Sequence, residues 1–76
     1  AIEKLGILPN FDTIQFTKNG NSIYKTDDKL YYYDLTSKSS SKIAIDEKII
    51  SKFFFRDGIL SIFTQNEITN YKIILP

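Results

Sequence analysis

Alternating apolar and polar positions run through most of the chain and predict short β-strands. Segment 11–17 places Ile14 and Phe16 between polar residues, which is the period of two that is typical of a strand. The same criterion predicts strands at 4–8, 22–26, 29–35, 42–46, 49–55, 59–64 and 67–75. Helical spacing is convincing nowhere, so the sequence predicts an all-β fold of about eight strands.

Hairpin turns separate these runs. Asn19-Gly20 and Asp57-Gly58 are the strongest signals, because both residues of each pair tolerate a positive φ. Asp27-Asp28 and Gln65-Asn66 predict two further turns. The serine-rich stretch 36–41 predicts a mobile loop.

Segment 29–35, Lys-Leu-Tyr-Tyr-Tyr-Asp-Leu, predicts the central strand. Leu30 and Tyr32 would face one side of a sheet, and Tyr31, Tyr33 and Leu35 the other. Both faces are largely apolar, so this strand is expected to be covered on both sides.

The chain repeats itself with a period of 38 residues. An ungapped shift of this length gives the identities Lys4/Lys42, Ile7/Ile45, Phe16/Phe54, Gly20/Gly58, Thr26/Thr64 and Tyr33/Tyr71. Conservative pairs such as Lys18/Arg56 and Asn19/Asp57 fall at the shared turns. The mismatches Ile14/Lys52 and Ile23/Ser61 predict a one-residue register shift in the first two strands of the second copy. A unit of about 40 residues with four strands has the size of one β-propeller blade.

The pattern in 14–20, Ile-Gln-Phe-Thr-Lys-Asn-Gly, followed by an Asp-containing turn and Tyr33-Asp34, resembles the WD-repeat family. Tyr33-Asp34 stands where that family has Trp-Asp, and Tyr71-Lys72 stands there in the second copy. The chain has no His, so the family's Gly-His pair is missing. The resemblance is therefore one of pattern, and it extends over the whole chain.

The resemblance implies two four-stranded antiparallel blades of a β-propeller, with repeat one at 1–38 and repeat two at 39–76. Strand 4–8 would be the outer strand of a preceding blade, 12–46 a complete blade, and 50–73 the three inner strands of another. Propellers close with about four to eight blades. The chain is therefore expected to belong to a longer propeller, to assemble with its own copies, or to receive blades from another chain.

Composition narrows the chemistry. The chain has no Cys and no His, which excludes disulfides, Cys/His zinc sites, and Ser-His or Cys-His nucleophiles within these 76 residues. The net charge of +1 is spread along the chain and is unlike the basic stripe of a nucleic-acid binder. No apolar run approaches the length of a membrane span. The absence of Cys, of a signal peptide and of a glycosylation acceptor predicts an intracellular location.

Other candidate sites favour structural roles. Asp27-Asp28 has the carboxylates of a calcium or magnesium site but lacks further ligands nearby, so a turn is favoured. The run 31–33 has the aromatics of a single-strand stacking platform, but a core strand explains it better. The serine loop is a candidate for phosphorylation. Arg56-Asp57-Gly58 has the composition of an adhesion tripeptide, yet its copy at 18–20 marks a hairpin turn.

These patterns favour a non-catalytic protein–protein interaction scaffold with no cofactor, whose partners are other proteins or further blades. The resemblance places partner-binding loops at one rim, comprising Pro9, Asn10, Asp27, Asp28, Glu47, Lys48, Gln65 and Asn66. The alternative is the propeller part of a larger hydrolase, gating or orienting substrate for a catalytic domain elsewhere. A small nucleic-acid-binding barrel is a third possibility.

Overall fold

A computed structural model describes residues 1–5, 7–8, 11–45 and 49–75. These residues form seven strands: β1 (Thr13–Phe16), β2 (Ser22–Thr26), β3 (Lys29–Asp34), β4 (Ser39–Lys42), β5 (Lys52–Arg56), β6 (Ile59–Phe63) and β7 (Ile68–Lys72). The all-β prediction is confirmed for the described residues. No helix in this part of the chain is long and apolar enough to cross a membrane.

The first four strands form an antiparallel sheet in the order β1-β2-β3-β4. The turn between β1 and β2 has positive φ at both Asn19 (58°) and Gly20 (79°), which matches the right-handed twist of the flanking strands. Asp27 and Asp28 form the turn between β2 and β3, where Thr26 pairs with Lys29. Both predicted turns are confirmed.

The last three strands form a second antiparallel sheet in the order β5-β6-β7. Arg56 pairs with Ile59 across a two-residue loop in which Asp57 and Gly58 have φ of 53° and 80°. The expectation of two four-stranded units therefore holds for the first sheet, whereas the described residues supply three strands to the second.

The core lies between the two sheets. Ile23, Leu30 and Tyr32 of the first sheet pack with Phe53, Leu60 and Ile62 of the second. Tyr33, on the other face of β3, is also buried. The prediction that 29–35 forms a strand covered on both sides is therefore confirmed for β3.

The two sheets contribute opposite faces of the repeated unit to this core. A shift of 38 residues carries the cross-strand pair Tyr24/Tyr31 onto Ile62/Thr69, which is also a pair. In the second sheet the core face carries Ile62, but its counterpart Tyr24 lies on the face of the first sheet that points away from the second. The sheets therefore stack in a head-to-tail manner rather than about a two-fold axis.

The expected register shift is present, but only in β5. Phe16 pairs with Ser22 in the first sheet, whereas the residue equivalent to Ser22, Leu60, pairs with Phe55 rather than with Phe54. One extra residue therefore lies on the β1 side of the first hairpin. The strand β6 keeps the spacing of 38 relative to β7, so the prediction was wrong for that strand.

Two strand predictions were wrong. Residues 4, 5, 7 and 8 are not in a strand. No sheet edge lies beside them, and Leu5, Ile7 and Leu8 instead line a cavity against the first sheet. The serine-rich stretch is also not simply a loop, because Ser39 to Ser41 pair with β3 and the strand ends at Lys42 instead of continuing to Ile45. A solvated edge strand needs backbone pairing and no apolar alternation, which explains why the pattern missed it.

Candidate interaction groove

A groove of about 860 Å³ opens between the two sheets at the end where the two glycine hairpins lie. Residues 17–19 and 21 line it from the first hairpin, and residues 55–59 line it from the second. Tyr32 and residues 72–75 complete its wall. We refer to these residues, together with Phe16, as the hairpin groove. Its two sides are the same turn of the repeat, presented twice.

Gln15 fixes the spacing of the two sheets beside this groove. Its side-chain Nε2 donates to the backbone carbonyl of Phe55, and its Oε1 accepts from the Phe55 N–H at 2.7 Å. Phe55 lies on the edge strand β5, whose other edge pairs with β6. The Gln15 amide therefore takes the place of a neighbouring strand at Phe55 and satisfies both of its backbone groups.

Asn21 fixes the first hairpin against the central strand. Its Nδ2 donates to the Tyr32 hydroxyl at 2.7 Å, and its Oδ1 accepts from the backbone N–H of Leu35 at 2.8 Å. The turn is closed by the Asn21 N–H, which donates to the carbonyl of Lys18 at 3.1 Å. The wall of the groove formed by the first hairpin is therefore held by directed hydrogen bonds.

The groove offers apolar surface to a ligand. Phe16 is 65% exposed and Ile59 is 40% exposed, and both line the groove. Phe55, Ile73 and Leu75 are only partly buried although they pack against the core. Exposed aromatic and aliphatic side chains in a concave surface are typical of interaction sites.

Basic side chains border this apolar surface. Lys18, Arg56 and Lys72 line the groove together with a single carboxylate, Asp57. Arg56 Nε lies 3.8 Å from Asp57 Oδ2, and both side chains are largely exposed. The groove lining therefore carries a net positive charge, which favours an acidic ligand.

The rim predicted from the sequence lies at the other end of the sheets. Asp27 and Asp28 form the β2–β3 turn, and Gln65 and Asn66 follow β6, so antiparallel topology places both opposite the hairpin groove. All four residues are exposed. Asn10, Glu47 and Lys48, with Pro9, lie outside the described residues.

The structure gives Asp27 one contact. Its backbone carbonyl accepts from Lys25 Nζ at 2.9 Å, and the same ammonium pairs with Asp12 Oδ2 at 2.8 Å. Among the described residues, no group of three or more acidic side chains is placed to hold a metal ion.

The aromatic run of β3 is divided between the two faces of its sheet. Tyr31 stacks on Tyr24 with ring centroids 5.4 Å apart, and the Tyr24 hydroxyl donates to Ser40 Oγ at 3.0 Å. Tyr32 belongs to the core between the sheets. The run therefore does not form one continuous stacking platform.

A smaller cavity of about 370 Å³ lies on the far face of the first sheet. Leu5, Ile7 and Leu8 cover it, and Tyr33 and Ser22 form its base. The Ser22 hydroxyl is buried there without a hydrogen-bond partner. The segment before β1 therefore covers part of this aromatic face without filling it.

The sequence carried one signal for the hairpin groove. Lys18 and Arg56 occupy equivalent positions before the two turns, so a repeat with neighbouring blades would bring two cations to one rim. Gln15 carried no such signal, because its contact joins residues 40 positions apart.

Comparisons with protein-family models, with curated proteins and with solved structures give no significant match to this chain.

Proposed function

We propose that the chain is a non-catalytic protein–protein interaction scaffold, built from two successive WD-repeat-like propeller blades. The observation that carries the proposal is the hairpin groove, where two copies of one turn flank an apolar surface. Each sheet is a simple up-and-down meander, and the sheets stack in a head-to-tail manner. Both features support blades that follow one another around an axis.

The ligand proposed for this groove is an extended peptide that carries an apolar side chain beside acidic residues. The apolar side chain would pack against Phe16 and Ile59, and the carboxylates would pair with Lys18 and Arg56. Arg56 offers a planar fork of donors that matches a carboxylate. Exposed ion pairs contribute little affinity, so packing against the apolar surface would supply most of it.

Selection of peptides from a randomised library tests this proposal. An extended chain rises about 3.3 Å per residue, so peptides of about eight residues would cross the 24 Å width of the molecule. The expected result is enrichment of acidic peptides with an aromatic or aliphatic residue, and affinities that fall as salt is raised.

Matched charge reversals locate the binding site. Lys18→Glu with Arg56→Glu changes the hairpin groove and is expected to weaken binding of the selected peptides by about tenfold or more. Asp28→Lys with Gln65→Lys changes the opposite rim, which the sequence predicted as the binding rim, and is expected to leave binding unchanged. The reverse outcome would assign binding to that rim instead.

A further inference from the structure

The outer edge of β7 is open. In the described part of the chain no strand pairs with it on the side away from β6. The Ile73 N–H donates to the Gly58 carbonyl and the Thr64 N–H donates to the Glu67 carbonyl, which fixes the alternation along the strand. The backbone groups of Ile68, Asn70 and Lys72 therefore point outward, ready to pair with a further strand.

The first sheet shows what such a strand would look like. There β4 pairs with β3, in the register Tyr31 with Lys42 and Asp34 with Ser39. A shift of 38 residues carries this part of β3 onto 69–72, within and at the end of β7. The same shift, taken backward, carries β4 onto residues 1–4. The repeat therefore assigns residues 1–4 to the position of β4 in a unit that precedes the first sheet.

We infer that the outer edge of β7 binds residues 1–5 of a second copy of this chain, as an added antiparallel strand. The register follows from the repeat, with Lys4 opposite Thr69, Ile2 opposite Tyr71 and Leu5 opposite Ile68. This inference rests on the head-to-tail stacking of equivalent sheets that also supports the proposed function, but it does not involve the hairpin groove.

The side chains in this register are compatible. Ile2 is fully exposed in the single chain and would lie beside Tyr71, which packs against the core. Leu5 would lie beside Ile68, which is 60% exposed. Glu3 would lie on the same face as Lys72 and within reach of its ammonium. Apolar residues therefore meet apolar residues, and opposite charges meet on the outer face.

The hydrogen-bond pattern is compatible as well. The Ile43 N–H donates to the Leu30 carbonyl at 2.9 Å, which makes the next pair, Tyr31 with Lys42, a pair without mutual hydrogen bonds. Its counterpart is Lys4 with Thr69, and Thr69 indeed directs its backbone groups toward β6. The predicted register therefore asks only outward-pointing groups of β7 to bond with the new strand.

The added strand also brings the uncovered sheet faces together. Phe54 and Ile68 are 51% and 60% exposed on the face of the second sheet that points away from the core. The first sheet of the second copy would present its Tyr24 and Tyr31 face to them, as the second sheet presents the equivalent face, bearing Ile62, inside one chain. Such a heterologous contact closes into a ring when its rotation allows.

Disulfide trapping tests the register, because the chain has no cysteine of its own. Separately tagged Lys4→Cys and Thr69→Cys chains are mixed in a thiol–disulfide buffer, so that only links between copies join the two tags. Side chains of a pair without mutual hydrogen bonds lie close enough for a disulfide. The matched control is Lys4→Cys with Glu67→Cys, which lies on the same side of β7 but two residues away. We expect about tenfold more mixed disulfide for the first mixture, and equal yields would overturn the register.

The solution mass tests the assembly. Light scattering of the chain at rising concentration is expected to give multiples of 8.8 kDa. Asn70→Pro removes an outward donor and is expected to return the mass to that of a monomer. Asn70→Ala removes the same bond from Ser61 Oγ to Asn70 Oδ1 and is expected to leave the assembly intact.

The outcomes separate the two proposals. A folded chain that stays monomeric at high concentration overturns the added strand, and if it still binds the selected peptides the proposed function stands. A chain that assembles through Lys4 and Thr69 but binds no peptide supports the added strand and contradicts the hairpin groove.

Discussion

Truncation of Gln15 tests how the two sheets are joined. The side-chain amide of this residue makes two hydrogen bonds to the backbone of Phe55 and links β1 to β5. Replacing it with alanine leaves the N–H and carbonyl of Phe55 without these partners. Because both groups are partly buried, water replaces the amide only in part.

The expected loss follows from the number of bonds. Each hydrogen bond contributes about 0.5–1.5 kcal/mol to the free energy of unfolding, so Gln15→Ala is expected to cost about 1–3 kcal/mol. In a domain of this size one kcal/mol lowers the melting temperature by about 4–8 °C. A loss of this size is large for a small domain with no disulfide.

The assay is thermal and urea unfolding followed by circular dichroism, with amide exchange of the Phe55 N–H as a local probe. Thr13→Ala is the control, because Thr13 lies on the same face of β1 and loses side-chain atoms in the same strand. Gln15→Glu keeps an acceptor for the Phe55 N–H but turns an oxygen toward the Phe55 carbonyl, so it is expected to be at least as destabilising as alanine.

The reasoning is refuted if Gln15→Ala costs no more than Thr13→Ala and the Phe55 amide keeps its protection. That result would mean that packing alone holds the sheets together and that the amide link contributes nothing to their spacing.

Three further substitutions test local features. Gly20→Ala is expected to destabilise more than Gly58→Ala in urea unfolding: both turns need a positive φ, but a Cβ at Gly20 would lie 2.9 Å from Leu35 Cδ2 whereas Gly58 has open space; equal losses would contradict the contact. Asp12→Ala, which leaves the buried Lys25 ammonium without its carboxylate, is expected to lower the free energy of unfolding by about 1 kcal/mol. Lys25→Met, which removes the buried charge itself, is expected to be neutral or stabilising by the same assay, and a loss as large as that of Asp12→Ala would contradict this account.

Turn chemistry and alternation made the strands predictable. Asn19-Gly20 and Asp57-Gly58 have the residue types that a positive φ requires, and they form the expected turns. β3 was predictable because its apolar residues occupy both faces. These features depend on neighbours in sequence, so the sequence alone contains the necessary information.

Elements that depend on distant partners were not predictable. Ser39 to Ser41 form a strand because the edge of β3 offers backbone partners, although their side chains carry no strand pattern. Residues 4, 5, 7 and 8 alternate like a strand but lie over the first sheet without pairing. In both cases the decisive factor is whether a free sheet edge lies nearby, which the local pattern does not contain.

The candidate site shows the same division. The rim predicted from the resemblance consists of turns that the structure places away from the hairpin groove, with Asp28 and Gln65 among them. The repeat itself held better information, because Lys18 and Arg56 are equivalent positions that the stacked sheets bring to one groove. What the sequence lacked was the direction in which the second sheet stacks on the first.

The most direct test of the interaction groove is to map the backbone amide resonances of the labelled chain while a selected acidic peptide is added. The account predicts that the largest shifts fall in residues 17–21 and 55–59, on the two sides of the hairpin groove. Residues 27–28 and 65–66, at the opposite end, serve as the internal reference and are expected to stay unchanged. Shifts concentrated at 27–28 and 65–66 would contradict the account.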